Sequence, residues 1–252
     1  MVPSQLSPPV ALAAVALVLL ATGVSFWARL GATRDQGVAA LRAVVQLAAV
    51  SLVIAAVLRS LPASIGFAAV MVLIAAVTSA RRIGAARAWP WVAMALLTGV
   101  LPVLVIVFGS RSVPLTGAAL VPFAGIVIGG AMTASSLTGR RCFAALREER
   151  GAFEAALSIG LTRSEAIGLV IQRHLPEALV PGLDQTRTVG LVTLPGAYVG
   201  VLLGGGSAVQ AGTAQLLVLV GLMAAQVIVV VVTAALMRSG HLLAADLREL
   251  PA

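Results

Sequence analysis

Lysine is absent from this 252-residue chain, so all 17 basic residues are arginine. Acid is scarce too, with nine Asp and Glu and only 10% charged residues of either sign. Soluble domains carry about 25% charged residues, so a soluble globular fold is excluded. Cysteine occurs once, at Cys142, which rules out an internal disulfide and fits an inert thiol better than a metal ligand. The two histidines, His174 and His241, lie far apart, and neither sits in an apolar run beside a Ser, Asp or Cys. A membrane-embedded protease or acyltransferase therefore lacks its chemistry. There is no GxxxxGK[ST] loop, hence no P-loop ATP site in the chain itself. The apolar runs hold no Asp, Glu, His or Lys, whereas ion-coupled carriers usually keep an ionisable group in the membrane. That argues against a proton- or sodium-driven carrier.

What is present is apolar length. Some 60% of residues are hydrophobic. Seven stretches reach or approach the roughly 20 residues that cross a hydrocarbon core of about 30 Å. They are Pro8–Ala28, Val38–Leu58, Ser64–Ala80, Trp91–Phe108, Gly117–Leu137, Val189–Leu203 and Ala211–Met237. The fold class expected is an all-α polytopic membrane protein with about seven transmembrane helices. The first run has no charge before Arg29 and no evident small-residue cleavage site, so it reads as a retained helix and not a signal peptide. With the N-terminus outside and the C-terminus inside, only Arg59 and Arg111 fall outside, a strong positive-inside bias. The net charge of +8 is then a matter of topology. It does not describe a nucleic-acid surface, because the charges hug helix ends without an aromatic-lined stripe.

The chain reads as one membrane domain: helices one to five over residues 1–138, a cytoplasmic loop over 139–188, two more helices over 189–237, and a cytoplasmic tail over 238–252. The loop carries seven Arg and six acidic residues. This near balance excludes a polybasic lipid-binding tail and, with its regular apolar positions, predicts amphipathic helices. "RCFAALREERGAFEAALSI" reads as helix, with Phe153, Leu157 and Leu161 at fourfold spacing. Gly160 closes it in the left-handed conformation. "TRSE" from Thr162 to Glu165 is a capping box opening a second helix to about Leu175, with Pro176 and Pro181 punctuating its far end.

Several residues within the spans are candidates for a substrate pathway. Val189–Leu203 has 15 residues, about 22 Å of straight helix at 1.5 Å per residue, and is interrupted at Leu194, Pro195 and Gly196. Such a break is either an ordinary kink or a binding or moving element of a transporter. Gln46 lies four residues from Arg42 on one helix face. Arg42 can snorkel to the interface, while Gln46 either glues helices or lines a pathway. "GGAMTASS" is a small-residue face that serves tight packing or borders a pathway, with Met132 and Thr133 as soft and hard ligands. Gln210 and Gln215 follow a charge-free glycine-rich loop and offer polarity near an exit. No metal site can be assigned.

The pattern Glu154-Ala155-Ala156 followed by Gly160 resembles the EAA loop of ABC-transporter permeases, whose short helix docks into a groove on the ATPase subunit. Taken with "RAVVQL" (Arg42–Leu47), "LVPFAGIVIGGAMTASSL" (Leu120–Leu137) and "VPGLDQTRTVGLVTLPGAYVGVLLGG", the chain resembles the FetB-type iron-export ABC permease family. The resemblance implies a transport subunit with no enzymatic site and no cofactor of its own, driven by ATP used in a separate ATPase subunit. It places docking on Phe153, Glu154, Ala155, Ala156 and Gly160, with Arg163 and Arg173 turned toward acidic groups of that partner. It further implies a homodimer in a bacterial inner membrane, moving iron or a related metal outward. A non-metal substrate such as a nucleotide-sugar or lipid-like molecule, an ATP-independent channel or carrier, and a membrane scaffold are the alternatives.

Overall fold

The structure, a computed structural model, describes residues 8–248. Residues 1–7 of the membrane domain and 249–252 of the expected tail lie outside the described residues. The chain divides into two units, Met1–Val57 and Leu58–Ala252.

The first unit is built from α1 (Pro8–Trp27) and α2 (Thr33–Leu58, its last residue at the seam). The turn between them uses positive φ at Arg29 (52°) and Gly31 (71°). Ser25 is the one buried residue of α1, and no residue of α2 is buried. Helices this apolar over membrane length, with that much surface uncovered, suit hydrocarbon and not water.

In the second unit α3 (Leu61–Arg82), α4 (Trp89–Gly109) and α5 (Gly117–Glu148) come first. The short helices α6 (Arg150–Ser158), α7 (Arg163–Ile171), α8 (Val180–Thr188) and α9 (Gly196–Leu203) follow, and then the long α10 (Ala208–Arg238). Ser60 and Thr116 cap α3 and α5 by accepting amide bonds from Ala63 and Ala119. The bundle forms where α10 packs on α4 and α5, and α3 packs on α5 and α4. Small residues set the close approaches. A Cβ on Gly99 would sit 2.7 Å from the carbonyl oxygen of Ala225, and one on Gly130 would sit 2.1 Å from Leu222, the packing that lipid-embedded helices favour. Three buried hydroxyls join α3 to α5. Ser136 donates to Ser79 (3.0 Å), which donates to Ser135 (3.2 Å). Among the described residues the only β pairing is an isolated bridge between Val189 and Thr193.

Among the described residues, six helices are long and apolar enough to cross a membrane: α1, α2, α3, α4 with the 3-10 turn before it, α5 and α10. The seventh expected span, Val189–Leu203, is not a continuous helix. Gly190 takes φ 80°, and Pro195 is extended (φ −67°, ψ 157°) at the N-cap of α9. Proline cannot donate to a preceding turn and biases its predecessor away from helix, so Pro195-Gly196 starts a helix instead of kinking one. That helix has eight residues, about 12 Å long.

The chain nevertheless climbs alongside α10, and the climb starts before Val189. The far end of α10 lies at the loop, where Arg238 packs against Gly168 of α7. Gly182 of α8 faces Gln226, 12 residues back from Arg238 along α10. Ser207 caps the opposite end of α10. Between Gly182 and Ser207 the chain must therefore climb the length from Gln226 to Ala208, 18 residues or about 27 Å. The α8 helix, the irregular residues 189–195 and α9 together form one discontinuous crossing.

Candidate functional site

At its loop end α5 stops at Glu148, because Glu149 leaves helical geometry (φ −106°, ψ 30°). The sequence expected as one helix is thus two, the end of α5 and α6. Gly160 has φ 92°, the left-handed corner its position implies. The capping box is present: Thr162 Oγ1 accepts from the Glu165 amide (3.4 Å) and Glu165 Oε2 accepts from the Thr162 amide (2.8 Å). The bond from the Thr162 hydroxyl, then that from its amide, holds the Glu165 carboxyl below the usual range. The second helix, α7, ends at Ile171, short of Leu175. A 3-10 run, Gln172–Leu179, carries Pro176, and Pro181 stands in the first turn of α8.

The corner is not a loose loop. Phe153, Ala156, Ala166, Ile167, Val170 and Ile171 are buried against the bundle. The chain's end closes over them, with Leu242, Leu243, Ala244 and Leu247 all buried. Arg147 donates through Nε and Nη2 to the two oxygens of Asp246 (2.7 and 3.0 Å), a bidentate fork. This bond, before any other cause, holds the Asp246 carboxyl below its ordinary value. Arg163 donates to the carbonyls of Leu247 (3.4 Å) and Arg248 (3.1 Å). The described part of the tail is a strap binding α5, α7 and the bundle together. Behind it, Glu149 is paired with Arg173 and receives His174 Nε2 at 3.1 Å. Burial pushes the Glu149 carboxyl up, and the bonds from His174 and Arg173 more than reverse that, leaving it lowered. Arg141 pairs with Glu177 across the same seam at 2.9 Å.

The expected docking residues therefore separate into two sets. Phe153 and Ala156 face inward and hold the corner in place. Glu154 and Ala155 are exposed, although Glu154 pairs with Arg150 at 2.9 Å. Arg163 and Arg173, expected to meet a partner's carboxylates, are already engaged inside the chain by the tail and by Glu149. Beside Gly160, Ile159 is 80% exposed. Its apolar side chain stands at the apex of the corner. The sequence marked it only as the residue before the glycine.

The expected pathway residues also fall in different places. Gln46 is exposed on α2 of the first unit. Met132 packs partly buried on the bundle core. Thr133 is exposed and returns its hydroxyl to the carbonyl of Gly129 (3.0 Å). Leu194 is exposed, Pro195 is half-buried, and Gly196 opens α9, which packs on α10. Gln210 is taken up in capping α10, whereas Gln215 is buried with its Oε1 unpartnered.

Sequence reasoning did not identify the polar elements of the discontinuous crossing. Gln226 is buried in the apolar body of α10 and donates to the Gly130 carbonyl at 3.4 Å. A Cβ on Gly182 would lie 2.0 Å from Gln226 Oε1, so only glycine lets α8 seat there. Just beyond, Asp184 and Arg187 pair at 3.4 Å and both are exposed. Because α8 lies alongside the middle of α10, this ion pair is level with the body of a membrane-length helix. Charged groups at that depth face a protein interior or a watery cavity, and broken helices mark such places in transporters.

A family model for UPF0014, described as an uncharacterised protein family, matches residues 10–241. The chain belongs to the UPF0014 family. Among its relatives is the UPF0014 membrane protein STAR2 of Oryza sativa subsp. japonica, 32% identical over 86% of this chain and 77% of that protein. The UPF0014 membrane protein YjkA of Bacillus subtilis is 28% identical over 87% of this chain and 89% of its own length. The probable iron export permease protein FetB of Escherichia coli is 30% identical over 50% of this chain and 48% of that protein. The resemblance to FetB-type permeases thus covers about half of this UPF0014 chain, and the family match nearly all of it. No solved structure matches the chain.

Proposed function

We propose that this multi-pass membrane protein is the permease subunit of an ABC transporter, energised by a separate ATPase. One observation carries the reading. The rigid α6–α7 corner, with Ile159 exposed at its apex, runs without a flexible linker into the broken crossing that holds Asp184 and Arg187. A push on the corner is then delivered to the segment best suited to gate a pathway. Ile159, Gly160, Ala155 and Glu154 form the docking surface. Phe153, Ala156, Arg163 and Arg173 support it from behind. In this reading the arginine-rich side is cytoplasmic, the N-terminus is outside, and two permease copies join two ATPases in a bacterial inner membrane.

The cargo is iron or a related metal moved outward. The support is that one relative is named a probable iron export permease and that Asp184 supplies the carboxylate oxygen that hard cations prefer. The test is a pull-down of the tagged chain from membranes with gentle detergent. An ABC ATPase should co-purify with the parent, and its recovery should collapse with Ile159→Glu and with Gly160→Leu. Failure to recover any ATPase, or equal recovery with both variants, would overturn the docking assignment.

A further inference from the structure

All but one of the arginines of the unit's loop are engaged within the chain. Arg141, Arg147, Arg150, Arg173 and Arg187 each pair with a carboxylate, and Arg163 is spent on tail carbonyls. The turn from α3 to α4 is different. Arg81, Arg82 and Arg87 are exposed, and among the described residues none forms an ion pair or a side-chain hydrogen bond. The turn is also rigid. Ile83 bonds back to Ser79 (3.1 Å), Gly84 to Arg81 (3.2 Å), Ala85 to Ala80 (2.9 Å) and Ala88 to Ala85 (2.8 Å). The loop's remaining arginine, Arg140, exposed and unpaired among the described residues, joins them. Its neighbour Gly139 is packed so tightly on Ile83 that a Cβ would come within 2.5 Å of it. Four like charges on one fixed frame raise a local potential that only an outside anion relieves.

The apolar half of the site begins two residues further on. Along α4 the small side chains of Ala93 and Thr98 leave a trough of about 590 Å³ between Trp89, Met94, Leu97 and Leu101. From Trp89 to Leu101 it runs 12 residues, or about 18 Å, against the roughly 15 Å of hydrocarbon in one leaflet. Trp89 stands at the end nearest the arginines, as interfacial tryptophans do. The arginines alone would suit any phosphate, and the trough alone any apolar chain. Their continuity suits a molecule that has both. A second copy seated in the trough would bring its own arginine-rich end to the same depth, and the two ends would repel.

We propose that the α3–α4 turn and the α4 trough form a binding site for one anionic phospholipid, its phosphate held by Arg81, Arg82, Arg87 and Arg140 and an acyl chain lying along Ala93 and Thr98. The site is separate from the α6–α7 corner and does not depend on the ATPase reading. The experiment titrates brominated-chain phosphatidylglycerol into the full chain in detergent and follows tryptophan quenching. Saturable quenching is expected, with little from brominated phosphatidylcholine and no displacement by inorganic phosphate. At about fivefold in affinity per arginine near a surface, the Arg82→Gln/Arg87→Gln variant should bind about thirtyfold more weakly, while Arg82→Lys/Arg87→Lys binds nearly as the parent. Ala93→Phe fills the trough and should remove the saturable phase with every arginine intact. Helical circular dichroism equal to the parent's establishes that the variants are folded. Equal binding of phosphatidylcholine, unchanged affinity in the double glutamine variant, or retained saturation with Ala93→Phe would overturn the site. Displacement by inorganic phosphate would show a free-anion site instead. A disulfide-linked dimer from Thr98→Cys would show that a second copy fills the trough.

Discussion

Gly182 and Gln226 offer the sharpest test of where the discontinuous crossing lies. A methyl group on Gly182 would fall 2.0 Å from Gln226 Oε1, 2.9 Å from its Cδ and 3.1 Å from Nε2. The whole amide must move, and it cannot move freely, since Gln226 is 6% exposed and bonded to Gly130. Displacing it forfeits a hydrogen bond worth about 0.6 kcal/mol between membrane helices and overpacks the seam at about 1–3 kcal/mol. Gly182→Ala should therefore destabilise by about 2 kcal/mol, even though alanine favours helix over glycine by up to about 1 kcal/mol. In a Gln226→Ala background the obstruction is gone and the vacated space admits the methyl. There the same substitution should be neutral or slightly stabilising, for a coupling of about 2 kcal/mol in a double-mutant cycle. The assay is reversible unfolding of the purified chain in mixed micelles, run on all four proteins. Additive costs, with Gly182→Ala equally harmful in both backgrounds, would mean that α8 does not rest on the middle of α10. The crossing described here would then be wrong.

Three further outcomes follow from the site. Phe153→Ala should cost about 3–5 kcal/mol as a fully buried aromatic, while Glu154→Ala, on the exposed side of the same helix, should stay within about 0.5 kcal/mol; thermal melts of the two variants check the inward and outward assignment. The tail strap should weaken in acid. The Asp246 carboxyl lies below its ordinary value in the folded chain, so its contribution is complete above about pH 4 and is lost as pH falls through the lowered value. Glu149, shifted in the same direction, adds to the effect. Limited proteolysis of the tail across pH 3–6 reads it, and Asp246→Asn should remove the strap's share of the dependence. Asp184→Asn should slow metal efflux from vesicles holding the permease and its ATPase while changing the melting temperature little, because the carboxylate is exposed; unchanged efflux would take Asp184 out of the pathway.

Much of the fold was legible because apolar length is the strongest signal a membrane chain carries, and six of the seven expected spans are long helices. The glycine corner and its capping box were equally legible, since each rests on local chemistry: the left-handed freedom of Gly160 and the reciprocal bonds of Thr162 and Glu165. What escaped was whatever depended on distant partners. Hydropathy cut the discontinuous crossing at Val189, because Asp184 and Arg187 look like loop residues to any averaging window. Only the seating of Gly182 against Gln226, 44 positions later in the chain, shows that they lie beside the middle of α10. The strap was invisible for the same reason. "HLLAADL" is too short to read as an element, and its leucines are buried only because α5 and α7 supply the far wall. Arg163 and Arg173 looked available to a partner because sequence counts charges without showing which are already spent. Arg140 apart, the loop's arginines are engaged and those of the α3–α4 turn are not. Two arginine-bearing segments thus have different partners: the first is held together as a protein surface, and the second is left open to an anion from the membrane.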